Sequence, residues 1–173
     1  EKGFSKASIR EIAAAAGMPV ATMYQYLDRK EDLLARIYDY FMTDIVFEIG
    51  RDRESGATAR ERLEHAIRMM IDSFDRRHKY IKLMFQKTRS LTPEARSRVF
   101  ELDAKYIADI QELVEAAAAE SAQPSIDPEL AANFIYFLCV IWPLRYWAIG
   151  KFGCEAVANG IVDMVFGGIG VGA

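Results

Sequence analysis

The two histidines, His65 and His78, and the two cysteines, Cys139 and Cys154, are the side chains best suited to metal ligation or nucleophilic work, and their spacing suits neither. The histidines fall on different predicted helices without a matching ligand pair, and no serine or cysteine sits in a nucleophile motif, so no acid–base or nucleophile set assembles. No metal site, no cofactor and no enzymatic activity are expected. The cysteines have no CxxC spacing and no flanking histidine, which reads as a pair of reduced thiols in a cytoplasmic protein. A different chemistry gathers in Thr22-Met23-Tyr24-Gln25-Tyr26, where hydroxyls and an amide crowd a few consecutive positions. Such groups hydrogen-bond rather than catalyse, and what they can do depends on the elements that hold them.

Those elements are helices. The chain has 173 residues and is 51% hydrophobic, enough to bury a sizeable core. Five prolines and eleven glycines punctuate it, and apolar residues recur at helical spacing without a convincing run of strand alternation. The fold class is therefore all-α. Ser8-Ile9-Arg10-Glu11, Asp28-Arg29-Lys30-Glu31 and Thr58-Ala59-Arg60-Glu61 read as capping boxes, and Thr92-Pro93 and Asp127-Pro128 as N-caps followed by proline. The spacing predicts helices over 8–16, 19–27, 30–51, 58–76, 78–87, 93–121, 128–149 and 155–166, with a glycine-rich tail that frays. The net charge of −3 rules out a uniformly basic surface but allows a local DNA-binding face. No secretory signal is seen, and the most apolar stretch, 134–144, falls short of the ~20 residues that span a bilayer, so no membrane partner is expected.

Ser8 to Leu27 thus gives a capped helix, a tight turn at Gly17-Met18-Pro19 and a second short helix, the sequence form of a helix-turn-helix. Ile9, Ile12, Ala13 and Ala16 line one face of the first helix, Met23 and Leu27 the inner face of the second, and Leu33, Leu34 and Ile37 continue inward from the next. The run Ala13 to Ala16 suits a close helix crossing. Together, Ser8-Ile9-Arg10-Glu11-Ile12-Ala13, then Gly17 to Leu27, then Lys30-Glu31-Asp32-Leu33-Leu34, closely resemble the DNA-binding segment of the TetR family of repressors. The resemblance is dense over roughly the first fifth of the chain and rests on helix order and length beyond it.

The resemblance implies an N-terminal DNA-binding domain over 1–45, including the start of a connecting helix, and a ligand-binding and dimerisation domain over 46–173. It also implies an additional helix before this point, with Lys2-Gly3-Phe4 as its exit. Thr22, Tyr24, Tyr26 and Lys30 are assigned to phosphates, as is the helix start at Ser8. Arg10 is matched to a guanine edge, Gln25 to an adenine, and the small pair Val20 and Ala21 to thymine methyls. Pro19 and Val20 depart from the polar residues often found there, so reading leans on methyl contact and shape. Tyr24 and Tyr26 can also be read as packing against the following helix, and Lys30 as simply solvated.

In the larger domain, Phe134 to Trp142 is apolar almost all round, which requires burial on two sides. With Val157, Ile161, Val162, Val165 and Phe166 it suggests a two-fold four-helix interface through the last two helices, as the resemblance also implies. A homodimer would present two recognition helices about 34 Å apart to a near-palindromic operator. Met70, Phe74, Met84, Phe85, Tyr106, Trp142 and Tyr146 read first as core; the resemblance adds a cavity for an apolar or aromatic inducer, with Pro143 kinking its helix nearby. Arg145 salt-bridges, extends to solvent, or binds a carboxylate inducer. The expectation is a ligand-responsive repressor of double-stranded operator DNA, working by population shift of the connecting helix. The alternative is a helical small-molecule receptor that no longer binds DNA.

Overall fold

The computed structural model describes Phe4 and residues 6–50, 57–120 and 126–169. Among them stand eight α-helices and no strand: α1 Ile9–Ala15, α2 Val20–Tyr26, α3 Lys30–Gly50, α4 Ala59–Arg76, α5 His78–Lys87, α6 Pro93–Ala119, α7 Pro128–Ile149 and α8 Cys154–Ile169. The all-α expectation holds, and most helix ends fall within two residues of their sequence signals.

The caps explain that agreement. The Ser8 hydroxyl accepts the Glu11 amide at 3.2 Å while the Glu11 carboxylate accepts the Ser8 amide at 2.8 Å, and Thr58 and Glu61 reproduce the same pair of bonds at 3.2 and 2.8 Å. Thr92 accepts from the Ala95 amide at 3.2 Å and Asp127 from the Leu130 amide at 3.1 Å, each with proline in the first turn. Each cap contributes about 1 kcal/mol by satisfying amides that the helix leaves without partners. The third expected box does not close: the Asp28 side chain makes no cap bond among the described residues, and Asp32, not Glu31, accepts a backbone amide, that of Arg29, at 2.7 Å. Either carboxylate lies within a turn of the helix start, and only the backbone decides between them. Pro19 is likewise the N-cap of α2 and not its first helical residue.

Two apolar clusters form. The smaller joins Ala13, Met23 and Leu27, with Ile9, Ile12, Val20 and Leu33 against them. The larger gathers Leu63, Ile67, Met70, Ile71, Phe74, Tyr106, Ile110, Ile135, Cys139 and Trp142, among others, from α4 to α8. α3 serves both, since Leu33 faces the small cluster while Leu34 and Tyr38 enter the large one. Its flank is held by Arg98 of α6, whose Nε donates to the Asp39 carboxylate at 2.9 and 3.0 Å.

α7 lies at the centre of the larger unit, packed against α4, α5, α6 and α8. Capped by Asp127 and running for 22 residues across a kink, it is long and apolar enough to cross a membrane by length and composition, contrary to the shortfall read from 134–144. Its Ala131, Ala132, Ile135, Tyr136, Cys139, Val140 and Trp142 are spent on the core of the subunit. Pro143 lacks the amide that would continue the helical ladder, and the helix bends where Arg145 leaves helical geometry at φ −110°, ψ 15°.

Candidate nucleic-acid interface

α1 and α2 are joined by a turn that only a permissive residue can make. Gly17 has φ +64°, a conformation that costs a side-chain-bearing residue strain, and the carbonyls of Ala14 and Ala13 accept the amides of Gly17 and Met18 at 3.2 and 2.9 Å. The Pro19 carbonyl then accepts the amides of Thr22 and Met23 at 3.0 and 3.2 Å, starting α2 without a side-chain cap. Ala13 is wholly buried, and Met23 and Leu27 close over the same small cluster. Ala14, Ala15 and Ala16 are exposed, which corrects the reading of the alanine run as one packed crossing: one alanine of the four provides the close approach.

The outward surface is the opposite face of α2. Tyr24 and Tyr26 are 52% and 63% exposed, and Gln25, Ala21 and Pro19 are exposed beside them. Thr22 and Val20 are half-buried, Val20 against the small cluster. Neither tyrosine packs away into the subunit. Ser8 and Arg10 are exposed at the start of α1, the serine hydroxyl committed to its capping box.

Lys30 is placed differently from its neighbours. Its ammonium donates to the carbonyls of Phe4 and Ala7 at 2.8 and 3.0 Å and lies 4.8 Å from the centre of the Phe4 ring. It ties the chain before α1 to the start of α3, a role that its position in the sequence did not announce. The expected exit of a preceding helix at Lys2-Gly3 lies outside the described residues.

The arrangement is therefore two short helices at a glycine turn, a hydroxyl- and amide-bearing outer face, and a long helix packed into the larger helical core. Residues 1–41 match the family described as bacterial regulatory proteins, tetR family, and residues 56–169 match the tetracyclin repressor-like C-terminal domain. The chain belongs to the TetR family. Among the relatives of this TetR-family chain, the HTH-type transcriptional repressor KstR2 of Rhodococcus jostii is 26% identical over 174 residues, covering 98% of this chain and 84% of its own length. The structure of AibR in complex with isovaleryl coenzyme A and operator DNA is similar at a TM-score of 0.77 and 27% identity, over 95% of this chain and 90% of that one. FadR from Bacillus subtilis, in complex with stearoyl-CoA, shares the fold at a TM-score of 0.82 and 21% identity, over 97% and 91%.

In this TetR-family protein the effector candidates divide into two groups. Met70, Phe74, Met84, Tyr106 and Trp142 are buried together in the large cluster, where Phe74 and Tyr106 each meet the ring of Tyr136 edge-on at 6.4 and 5.6 Å. Tyr146 is 44% exposed, stacked on His78 at 5.0 Å and edge-on to Trp142 at 5.2 Å. Arg145 is exposed and lies over Trp147 at 4.8 Å, and Phe85 also reaches the surface. A local polar set escaped the sequence reading. Asp103 hydrogen-bonds Tyr136, and burial pushes its carboxyl above the usual carboxylate range while that bond opposes the shift. The buried hydroxyl of Tyr106 has no hydrogen-bond partner. Aromatic spacing alone flags rings and not the carboxylate that serves them.

Two surface grooves border the TetR connecting helix α3. One, of about 540 Å³, runs between the α2–α3 corner and the start of α6, with Asp28, Asp32, Asp39 and Glu94 on its walls beside Arg36 and Arg98. The other, of about 340 Å³, is lined by Arg36, Ile37, Tyr40, Arg77 and Tyr80. No sequence signal picked out the second, because its two halves are about forty residues apart.

On α7 an apolar stripe faces outward: Leu130, Phe134, Phe137 and Ile141 are 41–58% exposed at helical spacing. The α8 residues assigned to a subunit interface, Ile161, Val162, Val165 and Phe166, are instead buried within the subunit, and Val157 is half-buried. The outer face of α8 carries Ala156, Gly160 and Met164. The periodicity of α8 marks its apolar face but not which partner covers it.

Proposed function

We propose that this chain is a homodimeric repressor that binds a near-palindromic operator through α1 and α2 and is released by a small-molecule effector. The observation that carries the reading is the exposed outer face of α2, where Tyr24, Gln25 and Tyr26 stand free of the core that Met23 and Leu27 anchor. Hydroxyls and backbone amides at this edge fix the helix on phosphates, Arg10 and Gln25 meet base edges, and Ala21 and Val20 meet thymine methyls. The outward stripe on α7 and the small residues on the outer face of α8 support a two-fold four-helix interface that sets the spacing of the two reading heads.

The effector class is an acyl-coenzyme A thioester. Both the AibR and the FadR structures hold one, and the packed core of Met70, Phe74, Met84, Tyr106 and Trp142 supplies adaptable apolar side chains that would part around an acyl chain. Effector and operator favour different settings of α3, so each lowers affinity for the other. The test is fluorescence anisotropy with the DNA upstream of the protein's own gene, titrated with salt and then with acyl-coenzyme A of graded chain length. Affinity should fall with salt at a slope of about −0.9 per phosphate contacted. A flat salt response, or no competition between operator and any thioester, overturns the reading.

A further inference from the structure

The phenol of Tyr106 departs from the rule that buried polar groups are paired. Its side chain lies in the middle of α6, wholly buried, and its hydroxyl has no hydrogen-bond partner. A buried donor in that state costs free energy, and the cost is relieved when an acceptor reaches it. Taking the chain as a regulator released by an acyl-coenzyme A, we propose that the Tyr106 hydroxyl donates to the thioester carbonyl of the effector, and so selects the thioester over the free acid.

The surroundings say which acceptor fits. The ring of Tyr136 meets that of Tyr106 edge-on at 5.6 Å, and Tyr136 is itself hydrogen-bonded to Asp103. Cys139 stands nearby as a buried thiol that burial holds in its neutral form, a weak partner at best. Met70, Phe74 and Trp142 belong to the same cluster and supply apolar, partly adaptable neighbours for a chain on either side of a carbonyl. The acceptor has to be uncharged. Burial first, and then the carboxyls of Asp103 and Asp109, hold the Tyr106 phenol in its protonated form, and both effects penalise an incoming carboxylate. A thioester carbonyl brings one acceptor and no charge. An ordered water would need two or more polar partners, whereas Tyr136 and Asp103 are joined to each other.

The place of Tyr106 gives the bond a consequence. Asp103, one turn earlier on α6, hydrogen-bonds Tyr136 of α7 and bears electrostatically on Tyr38 of α3. A carbonyl held at Tyr106 therefore sits beside the polar group at which α6, α7 and the connecting helix meet.

Calorimetric titration of the full chain with decanoyl-coenzyme A and with S-decyl-coenzyme A, a thioether without the carbonyl, decides the matter. The thioester should bind the unaltered protein about tenfold more tightly, the worth of one buried hydrogen bond. Tyr106→Phe should lose that preference: the thioester weakens by about tenfold and the thioether is unchanged. The same acyl chain as decanoyl-N-acetylcysteamine should bind more tightly than as decanoate. In infrared difference spectra the bound thioester carbonyl should stretch at higher frequency in Tyr106→Phe, since its donor is gone. Without ligand, the Tm of Tyr106→Phe should be no lower than that of the unaltered protein, because no bond is broken. A lower Tm would mean that the hydroxyl already holds a structural water, and overturns the proposal. Equal weakening of thioester and thioether, or tighter binding of decanoate, overturns it too. Decanoyl-coenzyme A that binds Tyr106→Phe as well as the unaltered protein removes the carbonyl assignment and leaves the effector class standing. If neither coenzyme A derivative binds the unaltered protein, the effector class falls and takes the assignment with it.

Discussion

The indole N–H of Trp142 donates to the Asp75 carboxylate at 2.9 Å, so the last turn of α4 is fastened to α7 one residue before Pro143. The bond joins a buried ring to a half-buried acid at the point where α7 bends. Trp142→Phe should cost about 2–3 kcal/mol, from lost volume and from a carboxylate left without its donor. Asp75→Asn keeps an acceptor oxygen and should cost under about 1 kcal/mol. Denaturant unfolding of the two variants checks the order, and equal losses would contradict it.

Asp103 should make stability depend on pH. Burial raises its carboxyl above the usual range, so the folded state holds the proton more tightly than the unfolded chain does. Its penalty is absent below the unfolded value of about 3.9 and grows as pH rises through the folded one. Asp103→Asn should therefore raise stability at neutral pH by up to about 1 kcal/mol, discounted for partial solvent screening. The gain should close towards pH 3–4, which melting curves across pH will show; a gain that widens in acid would refute the argument.

Single changes on α2 should separate grip from reading. Tyr24→Phe removes one hydroxyl from the outer face and should weaken operator and random DNA alike, by about 1 kcal/mol. Gln25→Ala should cost about 1–3 kcal/mol on the operator and relax preference at one base pair. Anisotropy against a panel of single-base operator variants distinguishes the two patterns.

Phe137 tests the outward stripe of α7. At 58% exposed it contributes little to the subunit core, so Phe137→Glu should leave the helical circular dichroism intact. Sedimentation should show a monomer, and operator affinity should fall by about a hundredfold or more, since a monomer grips one half-site. A stable dimer in the variant would move the interface elsewhere.

What could be read from residues alone was local. Ser8 with Glu11, Thr58 with Glu61, and the proline-bearing caps at Thr92 and Asp127 place helix starts because their hydrogen bonds close within one turn. The helix-turn-helix was legible for the same reason, its Gly17 turn and its Met23 and Leu27 anchors lying within twenty residues. Tertiary choices were not. Ile161, Val165 and Phe166 are apolar whether a neighbouring helix or a second subunit covers them, and Lys30 is a cation whether it meets a phosphate or the carbonyls of Phe4 and Ala7. The Asp103 and Tyr136 pair and the groove of Arg36 with Arg77 join segments distant in sequence, where spacing carries no information.

The Arg98–Asp39 pair gives ionic strength a second point of action. This bond braces α3 against α6 on the rim of the larger groove, where Arg98 stands well out in solvent. Exposed pairs of this kind slacken as the Debye length shrinks from about 10 Å at 0.1 M salt towards 3 Å at 1 M. Saltier surroundings thus loosen the brace between α3 and α6, so on the proposed reading salt acts on the setting of α3 as well as on the contacts that α1 and α2 make with phosphates.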